Sequence, residues 1–313
     1  MAQKKIGFIG VGLMGHGAAK NILLGGFPLT VMAHRNRAPV DDLVERGATE
    51  AMSTAELVRA VDVVFTCVSD ASVMEKLVLG DGGVLEEARP GQILVDMTTS
   101  EPATSRRLAQ ALSQKKVIFV DGPVTLTPKE AEEGRLNIMI GAEQAILNEI
   151  RPVLETFCQR IFHTGTVGTA HTLKLINNFL SLGNAAFAVE ACTAATKAGV
   201  APDMMVDLIS VSGGDSASFQ RMAGLLTGAG DPQRAAFAIK NARKDADYFW
   251  RLAGDQEVYA PLADSVGRWY DLAVALGHGD AQMPQLFEAH GDLSGVPVSL
   301  RTSSSSSRGV KAY

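Results

Sequence analysis

Short apolar runs alternate with longer stretches of helical period through the first half of the chain. Residues 6–9, 29–33, 61–68, 92–96, 116–120 and 137–140 read as buried strands, rich in Val and Ile. Between them, 16–24, 39–46, 73–79, 83–88, 104–113 and 144–157 read as helices, with stops such as Gly25-Gly26 and Gly47. This alternation predicts βαβ units and a parallel sheet covered on both faces. The right-handed crossover rule then leaves chiefly the doubly wound, Rossmann-type topology.

The pattern changes around 165–168. One helical stretch runs from about Thr169 to Gly199, on the order of 40 Å long. After it, 202–211, 220–226, 235–253, 261–276 and 282–288 all read as helices, and no convincing strand appears. The expected organisation is a dinucleotide-binding domain over residues 1–166 and an all-α domain over 167–290, joined by the long helix. Alanines along that helix (Ala185, Ala186, Ala188, Ala191, Ala194, Ala195) permit close packing, inside the domain or against a second subunit. From Gly291 onward no periodicity remains, and the tail 291–313, with serines at 303–307, is expected to be disordered.

Composition narrows the function classes. At 313 residues the chain is long for one core. Hydrophobic residues at 46% and charged ones at 20% exclude a disordered chain. A net charge of −5 argues against a dedicated nucleic-acid surface. Cys67, Cys158 and Cys192 are widely spaced and suit a reducing compartment rather than a disulfide framework or a zinc site. The six histidines show no metal-ligand spacing, so no metal is expected, and His163, His171 and His278 lack a paired nucleophile for hydrolase chemistry. The chain enters its first strand almost at once and 175–189 is too short to span a bilayer, so no signal peptide, no membrane contact and a cytoplasmic location are expected.

Gly10-Val11-Gly12-Leu13-Met14-Gly15 follows the first strand and opens the first helix. That context makes G-x-G-x-x-G a dinucleotide loop rather than an ordinary turn. The first glycine would make the turn, the second admit a pyrophosphate, and the third pack helix on strand, with the anion at the positive helix end. The second strand ends in His34-Arg35-Asn36-Arg37, with no acid to hold a ribose 2′-hydroxyl. Arg35 or Arg37 would fork onto a 2′-phosphate instead, which favours NADP(H) over NAD(H).

Four more motifs follow in order. They are Asp121-Gly-Pro-Val-Thr125-Leu126-Thr127, Gly134-Arg-Leu-Asn-Ile-Met-Ile-Gly141, the run from Gly168 to Lys174-Leu-Ile-Asn177-Asn178, and Lys244-Asp245. With the glycine loop they resemble the β-hydroxyacid dehydrogenases of the 3-hydroxyisobutyrate dehydrogenase type, over about residues 5–288. The resemblance implies the two-domain fold, a homodimer or homotetramer, and hydride transfer between a nicotinamide cofactor and a small hydroxy acid or its aldehyde or keto acid.

Such a transfer needs a group to take or give the hydroxyl proton, and a lysine whose pKa is lowered by burial or nearby cations can do both. Lys174 corresponds to the family's catalytic lysine. Asn178, four residues on and so on the same helix face, would hold the substrate or Lys174 in register. Thr125 stands where the family has serine and would orient the substrate acid. Leu126 and Thr127 replace two glycines, so either the substrate shifts or Thr127 supplies a new hydrogen bond. Val68, Ser69 and Thr99 at strand ends, and Lys244, are expected to contact the cofactor. Rival readings are an imine reductase, a type that commonly lacks a lysine at this position, and a non-catalytic NADP(H)-binding module, which would not need the lysine, asparagine and hydroxyl together.

Overall fold

The computed structural model describes residues 3–231, 235–296 and 300. The chain forms two compact units, Met1–Lys174 and Leu175–Tyr313.

Among the described residues the first unit is built on nine strands: β1 (Ile6–Ile9), β2 (Leu29–Met32), β3 (Thr49–Glu50), β4 (Val63–Thr66), β5 (Ile93–Asp96), β6 (Ile118–Asp121), β7 (Val124–Thr125), β8 (Leu136–Gly141) and β9 (Cys158–Gly165). Their order is β3-β2-β1-β4-β5-β6-β8-β7, with β9 on β8, and β1 to β6 are all parallel. This is the expected doubly wound sheet. Its far side departs from the expectation, because β8 runs antiparallel to β6 and β7.

The helices of this unit are α1 (Gly15–Leu24), α2 (Ala38–Glu45), α3 (Thr54–Ala60), α4 (Ala71–Leu79), α5 (Val84–Glu87), α6 (Pro102–Ser113), α7 (Pro128–Glu132) and α8 (Gln144–Leu154). Side chains alternate between the two faces of each strand. Val63 and Phe65 therefore enter one buried cluster and Val64 another. Phe8 and Phe65, partners in register, stack at 6.0 Å, and Phe157 meets Phe65 edge-on. Strand residues buried on both faces explain why each core strand reads as an uninterrupted apolar run.

The long helix α9 (Thr169–Lys197) starts in the first unit and continues into the second. The second unit adds α10 (Pro202–Ser210), α11 (Ala217–Thr227), α12 (Ile239–Asp255), α13 (Pro261–Ala273) and α14 (Leu286–Ser294). Among the described residues it contains no strand beyond one isolated bridge, Ala238 to Gln282. Val189, Phe219, Ile239, Tyr270 and Phe287 form its core. The buried Tyr270 hydroxyl donates to the Leu182 carbonyl at 2.9 Å.

Several helix bounds differ from the sequence expectation: α8 ends at Leu154, α11 begins at Ala217 and α12 begins at Ile239. The helix expected over 261–276 stops at Ala273 and gives way to a π turn, Val274–His278, around Gly277 at φ +92°. The last helix, expected to end at Glu288, runs to Ser294 and is closed by Gly295 in the left-handed region. The rest of the expected disordered tail, save Val296 and Leu300, lies outside the described residues. No helix among the described residues is long and apolar enough to cross a membrane.

Candidate active site

After β1 the chain turns at Gly10, at φ +95°, where a Cβ would lie 2.3 Å from the Cys67 carbonyl oxygen. A Cβ on Gly15 would lie 2.1 Å from the Gly10 oxygen, so this glycine lets α1 close on the turn. Above Gly12, by contrast, a Cβ would meet nothing within 4 Å. Leu13 points to solvent and Met14 packs on the core. α1 has no side-chain cap and no acid of its own in its first turn, and the carboxylates of Glu132 and Asp42 near it are bonded to the His16 ring. Two glycines closed by protein and one left open make a cradle that fits a pyrophosphate.

At the end of β2 the two candidate arginines part. β3 brings Glu50 beside Val31, and Arg37 forks onto it through two bonds of 3.0 Å while also reaching Asp41 at 3.0 Å. The Arg37 bond holds the Glu50 carboxyl below the usual carboxylate range. Arg35, exposed between exposed His34 and Asn36, makes no hydrogen bond or ion pair with the described residues. Of the two, Arg35 is the guanidinium still open to a phosphate.

The remaining cofactor candidates of this unit lie at the carboxyl edge of the sheet. Val68 N–H donates to the Thr98 hydroxyl at 3.1 Å, Ser69 Oγ donates to Asp70 at 2.7 Å, and half-buried Thr99 follows Thr98. Beside them Asp96 is wholly buried. Burial pushes its carboxyl above the usual range, against the pull of its bonds from Thr98 and Thr66.

The first turn of α9 is tied to the same edge. Asp121, buried at the end of β6, accepts the Gly168 N–H at 2.8 Å and the His171 N–H at 2.9 Å, a carboxylate set at a helix N-terminus. It fits only because residue 141 is glycine, whose Cβ would lie 2.2 Å from Asp121 Oδ1. Gly141→Ala is therefore expected to displace this carboxylate and cost about 2–4 kcal/mol, from overpacking and stranded N–H groups together. A urea midpoint equal to the parent's would refute that expectation.

Lys174 lies half-buried on the second turn of α9, and Asn178 follows one turn on. In the second unit, Asn178 Nδ2 donates to Asp245 Oδ2 at 2.7 Å, and Lys244 Nζ pairs with Asp245 Oδ1 at 3.3 Å while facing the Tyr248 ring. Asp245 thus gathers two of the expected site residues, and the Lys244-Asp245 pair quoted from the sequence was the signal for it.

The 125–127 loop behaves differently from the expectation for Thr127. Its hydroxyl and its N–H both donate to the Glu130 carboxylate, the N–H at 3.0 Å, as the capping box of α7. In this structure both donors are engaged by Glu130. Leu126 holds φ +85°, a region natural to glycine, with its side chain 45% exposed. Thr125 pairs with Asn137 across β7 and β8, and its hydroxyl has no partner among the described residues.

Sequence reasoning passed over Asp121, His171, Glu130 and Asp245 as functional supports. Three of them, Asp121, His171 and Asp245, stood inside quoted motifs, and Glu130 closes a Thr-x-x-Glu capping box.

Comparison with known proteins bears on this arrangement. The family profile described as the NAD binding domain of 6-phosphogluconate dehydrogenase matches residues 5–165. That described as NAD-binding of NADP-dependent 3-hydroxyisobutyrate dehydrogenase matches 168–289. The chain is 31% identical over 296 residues to 2-(hydroxymethyl)glutarate dehydrogenase of Eubacterium barkeri, covering 94% of this chain and 97% of that one. It is 31% identical over 287 residues to glyoxylate/succinic semialdehyde reductase 1 of Arabidopsis thaliana, covering 91% and 98%. The crystal structure of 3-hydroxyisobutyrate dehydrogenase from Salmonella typhimurium superposes with a TM-score of 0.79 at 26% identity, covering 91% and 99%. The open glycine cradle, the anchored helix bearing Lys174 and Asn178, and these end-to-end likenesses place the chain in the β-hydroxyacid dehydrogenase family.

Proposed function

We propose that this protein is an NAD(P)-dependent dehydrogenase or reductase that interconverts a small hydroxy acid and the corresponding aldehyde or keto acid. The observation that carries the reading is the placement of Lys174 and Asn178 one turn apart on a helix whose first turn is anchored at the carboxyl edge of a dinucleotide-binding sheet. Bound at the Gly10–Gly15 loop, the nicotinamide cofactor supplies hydride chemistry. Lys174 Nζ takes the hydroxyl proton in oxidation and returns it in reduction. Asn178, with one amide hydrogen committed to Asp245, keeps its second for the substrate oxygen. The Thr125 hydroxyl orients the acid, and Val68, Ser69, Thr99 and Lys244 contact the cofactor. NADP(H) is the preferred form, through Arg35.

The test is a screen of short 2- and 3-hydroxy acids and aldehyde acids, following absorbance of the reduced nicotinamide with both cofactors. Turnover of a member of this panel supports the reading. Tight cofactor binding with no turnover of any member would favour a sensor. We further propose a homodimer or homotetramer in the cytoplasm. Phe187, Ala191 and Ala194 form an exposed face of α9 at helical spacing, suited to close packing against a second copy. Light scattering that finds a monomer would overturn that assembly.

A further inference from the structure

Thr98 is a point where three segments meet. Its hydroxyl accepts the Val68 N–H, its own N–H donates to Asp96 at 3.0 Å, and its carbonyl lies 2.7 Å from His171 Nε2. A carbonyl has no proton to give, so Nε2 carries the ring hydrogen. Nδ1 is then the atom facing the Ser105 hydroxyl at 2.6 Å. His171 and Ser105 are both buried, so this pair is closed to substrate and cannot act as a nucleophile and its base.

The imidazole instead ties three elements together: α9, the chain just beyond β5, and the first turn of α6. His171 stands three residues before Lys174, on the neighbouring turn. Its N–H is already fixed by Asp121, so backbone and side chain of one residue are both anchored, to the ends of two adjacent strands. Thr98 also holds the Val68 loop, so the loop after β4 and the helix carrying Lys174 are referred to the same residue.

We propose that His171 is a positioning residue, whose buried ring sets where α9 presents Lys174 relative to the strand-end loops after β4 and β5. The proposal rests on the reading of Lys174 as the proton carrier. It predicts an effect on the chemical step rather than on cofactor binding, because a displacement of about 1 Å at a reacting group can cost on the order of 100-fold in rate.

The experiment compares His171→Leu with His171→Gln in the full-length protein. The leucine variant fills the space but strands the Thr98 carbonyl and leaves the Ser105 hydroxyl only the Glu101 carbonyl at 3.3 Å. The glutamine variant restores an N–H donor for the carbonyl. His171→Leu is expected to lower kcat by roughly 10- to 100-fold, with the KM for NADPH unchanged, and His171→Gln to recover most of the loss. A folded leucine variant with unchanged kcat overturns the proposal, and so does a loss that glutamine fails to recover.

Should the leucine variant not fold, Ser105→Ala carries the test. A lowered kcat at unchanged KM for NADPH supports the proposal, and parental kinetics overturn it. Lys174→Ala, run alongside, separates the two claims. If that variant keeps activity, the reading of Lys174 fails. If it is inactive while His171→Leu is normal, only the positioning role fails.

Discussion

Replacing Lys174 with alanine is expected to lower kcat by about 10²- to 10⁴-fold, the range for loss of a positioned general acid or base. NADPH affinity should stay at the parental value, because the cradle for the pyrophosphate lies at Gly10–Gly15 and not on α9. Lys174→Arg sharpens the test. It keeps the positive charge but cannot release a proton near neutral pH. If Lys174 moves a proton, arginine stays as inactive as alanine. If the residue merely attracts a substrate carboxylate, arginine restores activity and the assignment is lost. Steady-state kinetics in both directions, with cofactor binding followed by NADPH fluorescence, distinguish these results.

The second large effect is expected at the cofactor's adenosine end. Arg35→Asp should weaken NADPH binding by about 100-fold or more, since a charged hydrogen bond contributes about 1.5–3 kcal/mol and the new carboxylate repels the 2′-phosphate. NADH binding should hold or improve. Unchanged NADPH affinity would remove Arg35 from the site. Arg37 calls for a different experiment, because it is engaged by Glu50 and Asp41. Its removal would expose the Glu50 carboxylate it now neutralises. Arg37→Ala should therefore weaken NADPH binding indirectly, and adding Glu50→Gln should recover it. A double variant as weak as the single would mean that Arg37 touches the phosphate itself.

The parts that could be read from the chain are those where one residue's neighbours along the sequence decide its environment. β1, β4 and β5 announce themselves because burial on both faces leaves no polar position to interrupt Val63-Val64-Phe65 or Ile93-Leu94-Val95. The glycine loop is legible for the same local reason. β9 was not, since Cys158–Gly165 has polar residues at Gln159, Arg160, His163 and Thr164 and owes its extended form to β8 beside it. Two-residue β3 and β7 carry no periodicity to detect. α3 and α7 did carry a local signal, Ser53 with Glu56 and Thr127 with Glu130, each a cap followed three residues later by its acid.

At the site, Lys174, Asn178 and the glycines were visible as types at a spacing. Which arginine stays open was not, because it depends on the pairing of β3 with β2 and not on the arginines' own surroundings. Thr127 differs, because the partner that engages its N–H and hydroxyl is Glu130, three residues along the chain. Polar partners chosen across the fold are the part that one-dimensional pattern leaves out.

The division between the two units falls between Lys174 and Leu175, inside a continuous helix and not in a loop. Lys174 and Asn178 stand on either side of that division, four residues apart on one helix. A single residue inserted between them would rotate everything beyond by about 100° and set the two side chains on different faces. Chimeras joined at this point are expected to keep Lys174 and Asn178 on one face only when the turn count between them is kept. A change of length at this point of the helix is therefore expected to disturb the Lys174–Asn178 pair more than an exposed substitution beside it.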